Sequence, residues 1–114
     1  MSAVDASALQ KLQEDLGGEP EVMRELIDTF FGEAPRLLET LREGLAHARV
    51  ADLHRAAHSL KSTAGMFGAT TLSSLCRELE TLSIREMPRD AAARVAEIEK
   101  EWASVRAALE RMRP

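Results

Sequence analysis

His58 stands among small and basic residues in the run Arg55-Ala56-Ala57-His58-Ser59-Leu60-Lys61-Ser62-Thr63-Ala64-Gly65-Met66-Phe67-Gly68-Ala69. A neutral imidazole carries a free ring nitrogen that can attack an electrophile such as phosphorus. On a helix, Lys61 lies one turn further on, where its ammonium would offset the negative charge of an arriving phosphoryl group. Arg55, one turn back and further round, would help more weakly. Ser62 and Gly65 are small and open the space one and two turns beyond the ring. A glycine inside a helix costs up to about 1 kcal/mol relative to alanine, so Gly65 needs a reason: the close approach of another molecule, or tight helix packing.

Presenting His58 in this way requires a helix with one buried face. Leu53, Ala56, Ala57, Leu60, Ala64 and Phe67 define that stripe. With the stripe centred at zero on a wheel of about 100° per residue, His58 falls at about 140°, on the exposed polar flank. His54, Lys61, Ser62 and Gly65 lie within about 60° of it, on neighbouring turns of one surface. Gly68 is placed to end the helix in the left-handed conformation. The start is weakly marked, because Ala48-Arg49-Val50-Ala51 offers neither glycine nor a good capping side chain; Asp52 would cap a helix that starts late.

The flanking segments read as further helices. Asp5 caps a short one with Leu9, Leu12 and Leu16 on one face, stopped by Gly17-Gly18. Pro20 suits the first turn of the next, along which Met23, Leu26, Ile27, Phe30, Ala34, Leu37, Leu38, Leu41 and Leu45 recur at three and four residues. Pro35 predicts a kink near Gly32 within one long helix. After His58, Thr70 or Thr71 caps a segment with Leu72, Leu75, Cys76, Leu79 and Leu82 on one face. Pro88 marks the first turn of a last helix whose seam is Val95, Ile98, Trp102, Val105, Leu109 and Met112. No strand signal competes. The expected fold is all-α: an antiparallel four-helix bundle, up-down-up-down, with the short N-terminal helix across one end.

Composition narrows the function. At 114 residues the chain is read as one domain, residues 1–114, long enough for a modest core. Its net charge of −4 comes from interspersed acids and bases, which argues against a nucleic-acid partner. No window has the apolar length of a membrane span, and Met1 to Leu12 lack the pattern of a signal peptide, so the expected location is the cytoplasm. Cys76, the only cysteine, reads as a small buried hydrophobe, and Trp102 as a core plug. There is no glycine-rich phosphate loop, Walker lysine, kinase signature or convincing metal cluster. Any phosphoryl transfer must therefore draw its Mg²⁺ and its second reactive group from a partner.

The run His58-Ser59-Leu60-Lys61-Ser62-Thr63-Ala64, followed by Gly65-Met66-Phe67-Gly68-Ala69, resembles the signature of histidine-containing phosphotransfer (HPt) domains: His, any residue, Leu, Lys, Gly or Ser, small residues, then a hydrophobic residue, Gly and Ala. Leu72, Leu75-Cys76 and Leu79-Glu80 resemble the segment that follows in that family. The resemblance implies that His58 accepts and donates the phosphoryl group and that Lys61 neutralises charge. It places His54, Arg55, Ser62, Gly65 and Met66 at the docking surface, with Gly68 keeping the turn tight. It implies receiver domains as partners, on a hybrid histidine kinase and on a response regulator, each supplying an aspartate and Mg²⁺, with no cofactor held by this chain. Ser62 stands where glycine is commoner in the family, and Arg49-Val50 where a Gly-Asp-like turn is common. Such a protein is a phosphocarrier with no kinase site of its own, and a monomer is expected.

Two rival readings follow from the same residues. One keeps the bundle and its docking face but assigns only non-covalent binding of receiver or kinase domains. The other has His54 and His58, at i and i+4, share a metal ion, for which the sequence shows no third ligand. His47 lies outside this cluster and reads as solvated.

Overall fold

The apolar stripes become the inward faces of five helices in the computed structural model, which describes residues 2–114. These are α1 (Ala6–Asp15), α2 (Pro20–Ala46), α3 (Val50–Met66), α4 (Thr70–Leu82) and α5 (Ala91–Met112). Among the described residues there is no strand. α3 packs against α2 and α4, and α5 packs against the same two, closing a ring of four, while α1 leans on α3. The ties between neighbours run from early residues of one helix to late residues of the other: His54 to Glu80 for α3 and α4, Asp28 to Arg113 for α2 and the end of α5. That is the pairing of antiparallel neighbours, as the short connections require.

The stripe residues Leu53, Ala56, Ala57, Leu60, Ala64 and Phe67 are all buried, so α3 is anchored along its whole length. Phe67 stacks on Phe30 with ring centroids 4.8 Å apart, and Trp102 meets Phe30 edge-on at 4.9 Å. Such aromatic pairs contribute about 0.5–1.5 kcal/mol each beyond their buried area. Cys76 is buried as expected, and desolvation pushes its thiol up to about 12, which leaves it an inert hydrophobe. Leu82 departs from its stripe and is 45% exposed. It is the last residue of α4, where the helix has run past the core.

The helix ends show where local signals are sufficient. Asp5 Oδ1 accepts the Ser7 and Ala8 amides at 3.0 and 3.4 Å, capping α1 as its sequence predicts. Gly68 has φ +75°, and its amide and that of Ala69 return to the carbonyls of Gly65 and Ala64 at 3.1 and 2.9 Å, the Schellman closure of α3. The same turn receives α1: the Asp5 amide donates to the Gly68 carbonyl at 2.9 Å, and a Cβ on Gly68 would lie 2.9 Å from Ala8 Cβ. α2 runs unbroken through Pro35.

Three boundaries differ from the sequence reading. α3 starts at Val50, and Asp52 sits in its first turn, paired with Arg55, where it caps nothing. The break before it is made by Ala48 in the left-handed region, φ 52°, which lets the Arg49 amide reach the Gly44 carbonyl at 2.9 Å. The main chain closes this turn without a sequence signal. α4 starts at Thr70 itself, with Ala69 at the cap position and no side-chain cap; the Ala69 carbonyl accepts the Ser73 amide at 2.9 Å. Pro88 precedes α5: the Ala91 amide bonds the Pro88 carbonyl at 3.2 Å, and the helix starts at Ala91.

A non-glycine residue in the left-handed region costs roughly 1–2 kcal/mol, partly offset in a glycine variant by the greater entropy of its unfolded chain. Ala48→Gly should therefore raise stability by about 0.5–1 kcal/mol, read as a higher urea midpoint at unchanged slope. An unchanged or lower midpoint would show that the turn carries no strain.

Candidate functional site

α3 and α4 are held in register by main-chain and side-chain bonds, and the site is built on that register. Ser73 Oγ on α4 donates to the Lys61 carbonyl at 3.0 Å. Two turns along α4, Glu80 sits at the edge of the Leu72, Cys76, Leu79 stripe, so its backbone is packed while its carboxylate reaches across to α3. There Oε1 accepts from Lys61 Nζ at 2.6 Å, and Oε2 is hydrogen-bonded to His58 Nδ1. The Glu80 carbonyl is bonded to His54 Nδ1 at 2.9 Å. Three residues that the wheel set on one surface therefore converge on a single glutamate of the next helix.

The protonation pattern follows from these partners. The Glu80 carboxyl is held below its ordinary value of 4.5, first by the Lys61 hydrogen bond and then by that of His58, against the opposing effect of burial. It is ionised at neutral pH and can only accept, so the hydrogen in the bond belongs to His58 Nδ1. In the neutral ring the unprotonated nitrogen is then Nε2. The His58 side chain is 59% exposed, against 15% for Glu80, so the ring stands in solvent while its orienting group is sheltered. The arrangement is an oriented, exposed imidazole with a carboxylate behind it, whose free Nε2 could act as a nucleophile.

The other expected site residues are placed as follows. Lys61, 24% exposed, spends one of its three donors on Glu80 and keeps two for a ligand. Arg55 is exposed and paired with Asp52, and with His54, His58, Ser59 and Glu80 it lines a shallow depression. The Ser62 hydroxyl turns back to the His58 carbonyl at 3.2 Å. Gly65 is exposed, and a Cβ there would meet nothing nearer than Ser73 Oγ at 3.4 Å, an ordinary contact. Helix packing therefore does not account for it. Met66 is 52% exposed at the end of α3, and Gly68 is buried beneath α1. His54 and His58 both turn Nδ1 to Glu80, and among the described residues no three His, Cys, Asp or Glu side chains are grouped to hold a metal ion.

Glu80 is the residue that sequence reasoning left without a role. Its signal was slight: it follows Leu79 by one and Cys76 by four, which places it at the margin of a buried stripe, where a carboxylate needs a partner.

Because the Glu80 carboxyl is depressed, its contribution is full above 4.5, the unfolded value, and is lost as pH falls through the lower folded value. The gap in urea stability between the protein and its Glu80→Gln variant should be constant above that pH and close below it. At neutral pH, Glu80→Ala should release the Nδ1–H tautomer of His58 to a mixture, seen in the ring ¹⁵N shifts. Unchanged shifts would show that Glu80 does not orient the ring.

Comparison with known proteins identifies the family. The model of the Hpt domain family matches residues 25–113. The chain is similar to the crystal structure of histidine-containing phosphotransfer protein B (HptB) from Pseudomonas aeruginosa PAO1. The TM-score is 0.88 at 31% identity, over 97% of this chain and 94% of that one. No curated protein matches the chain. With the family model over most of its length and this similarity in fold and sequence, the chain belongs to the Hpt domain family.

Proposed function

We propose that His58 carries a phosphoryl group between the aspartates of two receiver domains, one on a hybrid histidine kinase and one on a response regulator. Histidine phosphotransfer in phosphorelays is the work of this family, and receiver domains are its partners. The observation that supports His58 as the carrier is its exposed ring with Nδ1–H given to an ionised Glu80, which leaves the Nε2 lone pair directed away from the bundle.

In the forward step Nε2 attacks phosphorus, the P–O bond of the partner's acyl phosphate breaks, and the aspartate leaves as a carboxylate. The imidazole gains positive charge at that moment, and Glu80 stabilises it through Nδ1–H without taking the proton. The two remaining donors of Lys61 meet the phosphoryl oxygens. Transfer to the second receiver runs the same steps backward. In this reading the Mg²⁺ belongs to the partner's half of the complex, and this chain contributes positioning and fixed charge. Ser62 and Gly65 give the receiver room to bring its aspartate in line, with His54, Arg55 and Met66 on the docking face around them. The chain acts as a monomer in the cytoplasm.

Incubation with a phosphorylated receiver and Mg²⁺ should label the protein in an acid-labile bond, and His58→Gln should abolish the label. Undiminished label in that variant would place the phosphoryl group elsewhere, and normal partner binding with no label in the parent protein would favour the adaptor reading.

Gly65→Ala separates stability from function. The added methyl fits, so the variant should be more stable by up to about 1 kcal/mol. It should nevertheless transfer more slowly at subsaturating receiver, because the methyl occupies the approach. Higher stability with wild-type transfer would remove Gly65 from the docking face.

A further inference from the structure

The turn of α4 that carries Glu80 is also the turn that ends the helix. Its final carbonyls lack amides further along the chain to bond. Neither of the usual solutions is present: Ile84, the residue after the Ser83 cap, is not in the left-handed region, and there is no basic residue in the last turn. Buried Ser83 ties the turn to itself, through its hydroxyl to Leu79 O at 2.6 Å and Glu80 O at 3.4 Å and through its amide to the same two carbonyls at 3.0 and 3.3 Å. Among the described residues, the bond that ties this turn's main chain to another helix is the one at 2.9 Å between His54 Nδ1 and Glu80 O. A carbonyl only accepts, so His54 Nδ1 is the donor.

We propose that His54 is a positioning residue for the chemistry at His58, acting through the main chain of Glu80. His54 and His58 lie one turn apart on α3. One holds the backbone of Glu80 and the other is held by its carboxylate. A glutamate has three side-chain torsions, and its carboxylate stays on Nδ1 of His58 only if its Cα is fixed. His54 fixes it from the same helix that bears the nucleophile, so α4 cannot slide or fray at this point without breaking the bond. This goes beyond docking alone, in which His54 would do no more than touch the receiver, and beyond a purely stabilising cap, in which the state of the His58 ring would be indifferent to it.

The test uses the intact protein with His54→Leu, which keeps bulk and helix propensity but no donor, and His54→Asn, whose Nδ2 stands as many bonds from Cα as the lost Nδ1. Two readouts are needed. The ¹⁵N shifts of the His58 ring report its tautomer and require no transfer. Labelling of His58 by phosphoramidate, a small donor whose P–N bond breaks with loss of ammonia, reports reactivity without a docked partner. In His54→Leu the His58 Nδ1–H tautomer should give way to a mixture, and the phosphoramidate rate should fall about tenfold or more, the usual scale for losing an orienting partner. His54→Asn should restore most of both. The proposal is overturned if His54→Leu keeps the wild-type tautomer and labelling rate, whether or not its melting temperature drops. It is equally overturned if the only loss is weaker half-saturation with a phosphorylated receiver, since that outcome makes His54 a docking residue. The labelling arm rests on His58 being the phosphoryl carrier. If the parent protein were not labelled at all, that assignment would fail, and the tautomer arm would still decide the role of His54.

Discussion

One carboxylate between an imidazole and an ammonium governs this structure. Glu80 is sheltered, and a lone carboxylate there would be costly to desolvate. Its carboxyl is held below the ordinary carboxylate range because Lys61 and His58 both donate to it. Each of the three groups is where it is on account of the other two. Lys61 keeps Glu80 charged, charged Glu80 fixes the hydrogen on His58 Nδ1, and the outward nitrogen of His58 is thereby free. The distances involved are hydrogen-bond distances across two separate helices, so the register of α3 against α4 must hold to a fraction of an ångström. Buried alanines on α3 at 56, 57 and 64 bring the neighbouring backbones close, and the bond from Ser73 to the Lys61 carbonyl fixes the pair at a second point.

Phosphoryl transfer between histidine and aspartate is reversible, and the site is suited to that. A base that removed the Nδ1 hydrogen would leave the phosphorylated ring neutral and a poorer leaving group for the return step. Glu80 balances the positive ring while its own low affinity for protons keeps it from taking one. On the proposed reading the proton stays on Nδ1 in both directions.

Much of this was legible in the residues. The stripes on α2 to α5 set which faces are buried, and the wheel correctly put His58 on the exposed flank with Lys61 nearby, because helical periodicity is a local property. Asp5 and Gly68 announced their helix ends through chemistry specific to those residue types. Ala48 did not, since any residue can be forced into a left-handed turn when the packing on both sides, here the contact between Gly44 and Leu53, demands it. Pro88 was misplaced by one turn because proline fits the bend before a helix as well as its first turn. Glu80 was illegible for a different reason. It lies 22 residues from His58 and 19 from Lys61, and its meeting with them depends on the register of two helices, which no periodicity within either one determines.

The glycines near the site separate what the fold requires from what it leaves over. A Cβ on Gly44 would press on Leu53 Cβ at 3.2 Å and on backbone atoms at 3.3 Å, so the crossing of α2 and α3 accounts for it. Gly68 is required twice, by its φ of +75° and by α1 lying against it. Gly65 is required by neither kind of constraint: it has helical neighbours, an exposed surface and room for a methyl. A helix gives up stability by keeping glycine there. The two demands internal to the chain, close packing and left-handed backbone, account for Gly44 and Gly68 and leave Gly65 to something outside it. Gly65 lies two turns beyond His58 on the same helix, and its side of the helix is exposed.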